Sequence, residues 1–313
     1  MYKNLIKIST VGMSRDEWLK ERRKSIGGSD VSALLGMNEY CSRYTLYAEK
    51  KGLLPEKEDS EAMRIGRDLE DYVAKRFTEK TGKKVRKENS IIRNPNIPYL
   101  HANVDRVIVG EDAVLECKTV SALNLKQYKN GEFPDRFYAQ CCAYMLVCGF
   151  KKAYLAVLVL GKDFMVFEIE RDEEELNALN KACKDFWSLI ENNTPPMADG
   201  SSSTTETLSA IYPKSNDSSV SLTAYESDLR EYMSLTNLIK DMESKKDEVE
   251  NRIKAQLGDN AFGESNNFKV SWGSSSRSTF DHKRFATENP QIDLSEYYKN
   301  STYRTFKVSQ INN

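Results

Sequence analysis

No stretch of this sequence is apolar for long enough to cross a membrane. The longest apolar run, 153–160, has the length of a β-strand, whereas a membrane-spanning helix needs about 20 apolar residues. The N-terminal stretch MYKNLIK also lacks the uninterrupted apolar segment of a signal peptide. We therefore expect a cytoplasmic protein that does not enter a membrane.

Paired cysteine motifs are absent as well. The 6 cysteines include no Cys-x-x-Cys pair and stand mostly among apolar residues. This pattern is typical of reduced thiols in a core and argues against disulfides or a zinc site. An iron–sulfur cluster would need four well-placed thiolates, and the spacing of these cysteines does not indicate one.

The sequence also lacks an excess of positive charge. Its 46 Lys and Arg residues face 47 Asp and Glu residues, for a net charge of −1, so nothing attracts nucleic acid globally. DNA binding would have to depend on local basic patches. The run of basic residues at 80–93 is one candidate, although a solvated helix end and turn explains it equally well.

Helical and strand patterns mix along the first two thirds of the chain. A capping box at Ser14 and Glu17 predicts a helix over 14–24, and an apolar stripe predicts a longer helix over 64–81 that Gly82 ends. Further helices are predicted at 31–35, 136–148 and 176–191, and strands at 83–92, 102–109, 113–120, 152–160 and 164–170. The fold class is therefore α/β (α+β).

The composition changes beyond this region. Residues 198–221 are rich in Ser and Thr, which is typical of a linker. Residues 223–257 predict a long charged helix whose apolar stripe suits a helical hairpin arm or a short coiled coil. Residues 268–272 and 302–308 predict a pair of strands. We expect a domain at 1–197, a linker at 198–221, and a C-terminal helical and β region at 222–313.

The strongest chemical signal is a predicted hairpin, in which strands 102–109 and 113–120 flank a short turn. If Gly110 and Glu111 form a two-residue loop, Asp105 stands directly opposite Glu116. Alternation along the strand places Lys118 on the same face. A longer loop would change this register.

Two carboxylates side by side repel each other unless a positive charge lies between them. A hard divalent cation held by oxygen ligands is the usual solution, and Mg²⁺ beside a lysine can cleave a phosphodiester. Lys118 would then orient the attacking water or help to deprotonate it. The alternative is that Asp105, Glu116 and Lys118 are exposed residues of an ordinary salt-bridged hairpin.

Glu70 is a third acidic candidate. It lies beside the apolar stripe of helix 64–81, so it could lean into the site as a further ligand, or pair on the surface with Arg64 or Arg67. Gln140 and Tyr144 share one face of helix 136–148 at i, i+4 spacing. Tyr144 alone is more typical of a core residue than of a functional one.

Taken together, these residues resemble the YqaJ-type viral recombinase family and, more distantly, lambda exonuclease, within the PD-(D/E)XK nuclease superfamily. The matching pieces span 14–197 and follow the family's order. They are the segment from Trp18 to Arg22, the IGGSD motif at 26–30, the GRDLE segment at 66–70, Asp105, the ECK motif at 116–118, and Gln140 with Tyr144. Val104 stands where the superfamily's name has proline.

The resemblance implies a PD-(D/E)XK core, a central mixed β-sheet flanked by helices, with a C-terminal appendage that lambda exonuclease does not have. It implies two-metal chemistry with Mg²⁺, for which Mn²⁺ can substitute. The metal ligands it implies are Asp105, Glu116, the Cys117 backbone carbonyl and Glu70, and Lys118 and Gln140 complete the catalytic set.

Arg22 and Ser29 match family positions that hold a terminal 5′-phosphate. Glycines followed by Ser29 at a helix start offer backbone N–H groups to an anion, and Arg22 offers a forked donor. A tight turn with an N-capping serine is the alternative, and both can hold together. The partners implied are duplex DNA ends, a single-strand annealing protein and further copies of the chain, with a trimeric ring as a hypothesis, in a bacterial host's cytoplasm.

We predict a phage-type 5′-to-3′ exonuclease that resects linear duplex DNA for recombination by single-strand annealing. An endonuclease of the same superfamily is the first alternative, but a pocket at Arg22 and Ser29 for a DNA end has no use in internal cleavage. A catalytically spent DNA-binding or anti-restriction module is the second, and the intact acidic pair argues against it. A structural scaffold built on the C-terminal helix would leave that pair unexplained.

Overall fold

The computed structural model describes residues 4–56, 59–299 and 302–311. Residues 1–3, which belong to the N-terminal stretch tested for a signal peptide, lie outside these ranges. The chain divides into two compact units, Met1–Tyr212 and Pro213–Asn313. Within the described ranges, no helix combines the length and the apolar character needed to cross a membrane.

The first unit alternates helices and strands along the chain. Its helices are α1 (Arg15–Arg23), α2 (Val31–Leu34), α3 (Arg43–Lys50), α4 (Glu61–Thr81), α5 (Asp135–Cys148), α6 (Glu173–Glu191) and α7 (Ser202–Ile211). Its strands are β1 (Ile6–Ser9), β2 (Ile26–Gly27), β3 (Val85–Lys87), β4 (Ser90–Asn94), β5 (Ile97–Ala102), β6 (Arg106–Ile108), β7 (Ala113–Val120), β8 (Lys152–Val159) and β9 (Asp163–Glu170).

Local sequence signals explain where the predicted helices start and stop. Ser14 and Glu17 form the capping box at the start of α1, as expected. Gly82 ends α4 in the left-handed conformation, with φ of 73°, which glycine adopts without steric cost. Gly149 ends α5 in the same way.

A five-stranded mixed sheet in the order β3-β6-β7-β8-β9 forms the centre of the first unit. Its strands are antiparallel except for β7 and β8, which run parallel. On one face, Val73 and Phe77 of α4 pack against Leu115. On the other face, the almost wholly buried α5 packs against Val114 and Leu155. The predicted mixed sheet with flanking helices is confirmed.

A second, four-stranded sheet in the order β1-β4-β5-β2 was not predicted. It accounts for two wrong boundaries. The predicted strand 83–92 is two strands, β3 and β4, because the chain leaves one sheet and enters the other. The predicted strand 102–109 is also divided, since β5 pairs with β4 in the second sheet while β6 pairs with β7 in the first.

The predicted linker at 198–221 is wrong in its central part, where α7 packs against α3. Its hydroxyl side chains are buried and bonded to those of α3 and its N-cap. Thr45 Oγ1 lies 2.8 Å from Ser203 Oγ, and Thr204 Oγ1 lies 2.7 Å from Ser42 Oγ. A Ser- and Thr-rich segment can therefore be ordered when partners distant in sequence satisfy its hydroxyl groups.

The second unit contains the predicted long helix, α8 (Glu226–Leu257). It is followed by β10 (Phe262–Glu264), β11 (Lys269–Ser271) and α9 (His282–Glu288). The strand pair predicted between 268–272 and 302–308 is wrong. Residues 269–271 pair instead with 262–264 across a tight turn, and 302–308 have no strand structure.

Candidate active site

The hairpin of β6 and β7 has the register that the sequence predicted. Arg106 pairs with Leu115, and Val107 pairs with Val114. Continued by one residue, this register places Asp105 opposite Glu116. The backbone N–H of Cys117 donates to Asp105 Oδ2 at 2.8 Å, which fixes the Asp105 carboxylate beside the end of β7.

Glu116 is a buried carboxylate with charged and polar neighbours on the α5 face of the sheet. Its side chain is 3% exposed, and Lys118 Nζ lies 2.6 Å from its Oε1. Gln140 Nε2 on α5 donates to the same oxygen at 2.7 Å. Its Oε2 is buried without a hydrogen-bond partner among the described residues. The structure therefore brings Glu116, Lys118 and Gln140 together, as predicted.

Negative charge accumulates at Asp105. Burial raises the pKa of its carboxyl group well above the usual value, and the neighbouring Glu116 and Glu70 raise it further. Burial alone would lower the pKa of Lys118, but the charges of Glu116 and Asp105 outweigh that effect and raise it. The acidic side chains thus outnumber the cation that faces them.

Glu70 takes neither of the positions weighed from the sequence. It contacts Arg106, whose Nη1 and Nη2 donate to Glu70 and Asp71, and whose Nη1 also donates to the Asp105 carbonyl at 2.7 Å. The Arg106 side chain is 4% exposed. Glu70 is therefore close enough to raise the pKa of Asp105, but Arg106 neutralises it and holds it towards α4.

Arg106 is a functional residue that the sequence analysis missed. Alternation along β6 gives the only sequence signal, because it turns Arg106 away from the face of Asp105 and towards the helix that carries Glu70. A charged residue in a short strand that must be buried needs a charged partner. Such a partner could have been sought on helix 64–81.

The donor set suits a hard divalent cation in chemistry and charge. In the part of the chain that the structure describes, no group of three or more His, Cys, Asp or Glu side chains is arranged to hold a metal ion. Asp105 and Glu116 nevertheless supply oxygen atoms, and Glu116 Oε2 has no protein partner among those residues. The buried excess of negative charge is a second reason why these residues fit Mg²⁺.

Arg22 and Ser29 also lie together. Arg22 Nη2 donates to Ser29 Oγ and to Asp30 Oδ1, both at 2.9 Å, and the Arg22 guanidinium lies over the Trp18 ring. Lys50 Nζ contacts the other Asp30 oxygen at 2.6 Å. Burial would raise the pKa of Asp30, but Lys50 and Arg22 outweigh it and hold that pKa well below its usual value. Two cations around one carboxylate leave a net positive charge.

A chain of close contacts joins this cluster to Glu116. The next residue before Ser29 is Gly28, where an added Cβ would lie 2.5 Å from Cε1 of the Tyr144 ring. Gln140 Nε2 lies 2.7 Å from the Tyr144 hydroxyl and, as stated, 2.7 Å from Glu116. Tyr144 is 3% exposed, so it is a core residue that also connects the two clusters.

His101 was not singled out from the sequence and is completely buried beside this cluster. Its Nδ1 lies 2.8 Å from Ser25 Oγ, and its Nε2 has no hydrogen-bond partner among the described residues. Burial lowers the pKa of His101 to about 3. Because the unfolded chain binds a proton near the usual value of 6.5 and the folded chain does not, stability rises with pH between these values.

We therefore expect acidification from pH 7 to pH 5 to cost about 2 kcal/mol of folding free energy through His101. Urea unfolding of the wild type and of His101→Gln across this range measures the difference in slope. Asp30 does not contribute here, since its lowered pKa acts below its usual 3.8. His282→Gln, at the exposed histidine of α9, is the control and should keep the wild-type slope. Equal slopes for all three proteins would contradict the prediction.

The basic run at 80–93 is largely engaged with protein groups. Lys80 Nζ donates to the Phe164 carbonyl, Lys83 contacts Glu111, and Arg93 contacts Glu21. These contacts favour the bland interpretation of the run as a solvated helix end and turn. The 6 cysteines are free thiols, of which Cys141, Cys142, Cys148 and Cys183 are buried.

Comparison with known proteins gives matches of two kinds. The family described as "YqaJ-like viral recombinase domain" matches residues 17–151. A protein described as "Uncharacterized protein YqaJ" from Bacillus subtilis (strain 168) is 39% identical over 305 residues, which cover 96% of this chain and 95% of that protein. The similarity therefore extends through the C-terminal unit.

Solved structures show weaker similarity. An alkaline exonuclease from Laribacter hongkongensis is 19% identical with a TM-score of 0.48, covering 57% of this chain and 94% of that one. A phage related exonuclease from Haemophilus somnus 129PT is 14% identical with a TM-score of 0.37, covering 56% of this chain and 99% of that one.

Proposed function

Because this chain belongs to the family of the YqaJ-like viral recombinase domain, we propose that it is a metal-dependent exonuclease that resects linear duplex DNA from its 5′ ends. The observation that carries the proposal is the buried pair of Asp105 and Glu116 with Lys118 Nζ 2.6 Å from Glu116. An ordinary surface hairpin would leave such carboxylates in water, where their repulsion is small.

Mg²⁺, or Mn²⁺ in its place, would be held by Asp105, Glu116 and the Cys117 carbonyl, with Glu70 in support. When bound, the ion supplies positive charge that makes water more acidic and offsets the negative charge developing on the phosphate. Lys118 presents its ammonium group to the same space and orients the water that attacks phosphorus. Gln140 donates to Glu116 and thereby holds that carboxylate in one orientation.

The Arg22 and Ser29 cluster favours an exonuclease. Its net positive charge suits the dianionic 5′-phosphate of a DNA end, and Arg22 already positions a forked donor beside a hydroxyl group. The contacts through Tyr144 and Gln140 hold this cluster at a set position relative to Glu116. An endonuclease gains nothing from a positioned end pocket. The 3′ single strand left by resection is the substrate for an annealing protein.

A linear duplex with a labelled 5′-phosphate on one strand tests the proposal. With Mg²⁺ we expect that strand to be digested from its 5′ end, with mononucleotides released first from the label, and EDTA should stop the reaction. A duplex with 5′-hydroxyl ends should react more slowly. Cleavage of closed circular DNA would instead indicate an endonuclease, and no metal-dependent hydrolysis of either DNA would leave a binding module.

A further inference from the structure

Helix α8 carries an exposed apolar stripe in the C-terminal unit. A soluble helix normally turns such a stripe towards a core. Here the apolar side chains stay between 41% and 59% exposed, and they are Tyr232, Leu235, Leu238, Ile239, Met242, Val249 and Ile253. The Tyr232 ring contacts Phe306, so the freely exposed part covers residues 235–253.

The spacing of this stripe is that of a coiled coil. Positions 232, 235, 239, 242, 246, 249 and 253 alternate in steps of three and four residues, which are the a and d positions of a heptad. Each is apolar except Lys246, at an a position. Heptads sustained in this way with charged flanking positions are typical of helices that pair side by side.

We propose that α8 pairs with α8 of a second copy of this chain in a parallel, two-stranded coiled coil. In this arrangement each g position lies beside the e position five residues later on the other helix. Lys245 is at g and Glu250 is at e, so two ion pairs form, one on each side of the seam. Glu250 also contacts Lys254 on its own helix and would share its carboxylate between the two lysines.

Charge disfavours the antiparallel alternative. The antiparallel alignment that overlaps residues 235–253 end to end places Glu243 opposite its counterpart in the second copy. The same alignment places Lys245 opposite its own counterpart. Like charges that meet across a seam destabilise it, whereas the parallel alignment brings opposite charges together.

Lys246 determines the number of helices. In a two-stranded coil, a lysine at an a position packs its aliphatic stem on the seam while its ammonium group reaches water. In a three-stranded coil the a positions face a closed core, and three ammonium groups would lose their water there. The stripe therefore fits a dimer, in contrast to the trimeric ring that the family resemblance suggests.

Two matched variants of the full chain test the interface. Ile239→Glu places a carboxylate in the seam, and Asn237→Glu places the same carboxylate on the exposed outer face, at an f position. Sedimentation equilibrium at micromolar concentration should give the dimer mass for the wild type and for Asn237→Glu. For Ile239→Glu the dissociation constant should rise at least about 100-fold. A monomeric or trimeric wild type, or a dimer that survives Ile239→Glu, would overturn the proposal.

A single cysteine tests the orientation. In the parallel coil Met242 meets its own counterpart at a d position, so Met242→Cys should form an interchain disulfide rapidly on mild oxidation. Ser244→Cys, on the outer face, should not cross-link above the wild-type background from the native thiols. A dimer in which Met242→Cys fails to cross-link would contradict the parallel arrangement.

Discussion

Replacing Lys118 with alanine is expected to reduce DNA hydrolysis by about 10²- to 10³-fold at saturating Mg²⁺ and DNA. The Lys118 ammonium group lies 2.6 Å from Glu116 and faces the side of the sheet on which both carboxylates stand. Its loss removes a positive charge from the space where the proposed reaction develops negative charge. Initial rates on a linear 5′-phosphorylated duplex measure the effect, with circular dichroism to establish that the variant is folded.

Lys181→Ala is the matched control for this measurement. Lys181 is an exposed lysine on α6 that pairs with Asp185 one turn later, so its replacement removes the same charge from the chain. We expect its rate to stay within about twofold of the wild type, since surface ion pairs contribute little. A Lys118→Ala rate within tenfold of the wild type would remove this lysine from the proposed mechanism.

The register of the hairpin could be predicted because it depends on local properties. Strand side chains alternate with a period of two, and the turn at Gly110 sets which residues face each other, so Asp105 and Glu116 follow from counting. Lys118 then shares their face. The distances and the burial of Glu116 do not follow from the sequence, since they depend on α5 covering this end of the sheet.

The division of the chain between two sheets could not be predicted in the same way. Residues 97–102 and 106–108 read as one continuous strand pattern, and only pairing with β4 and β7 separates them. Helix α7 was missed for a similar reason. Its Ser and Thr side chains become buried only because Ser42 and Thr45 accept and donate hydrogen bonds from far along the chain.

Glycine 28 links the two clusters through steric contact, which gives the largest stability effect we expect near the site. In Gly28→Ala the new Cβ would lie 2.5 Å from Tyr144 Cε1 and 2.9 Å from Cδ1. The buried ring cannot rotate away freely, so we expect a loss of about 1–3 kcal/mol in folding free energy, measured by urea unfolding. The displaced Tyr144 hydroxyl should also disturb Gln140 and reduce hydrolysis.

A second glycine in the matching segments should respond with the opposite sign. An added Cβ at Gly66 meets nothing within 4 Å among the described residues, and Gly66 lies inside α4, where alanine is the better helix former. Gly66→Ala should therefore stabilise the protein by about 0.5–1 kcal/mol. If the Tyr144 ring is the obstacle at position 28, Gly28→Ala should cost much less in a Tyr144→Ala background. An unchanged cost in that background would show that the strain lies in the backbone of the turn instead.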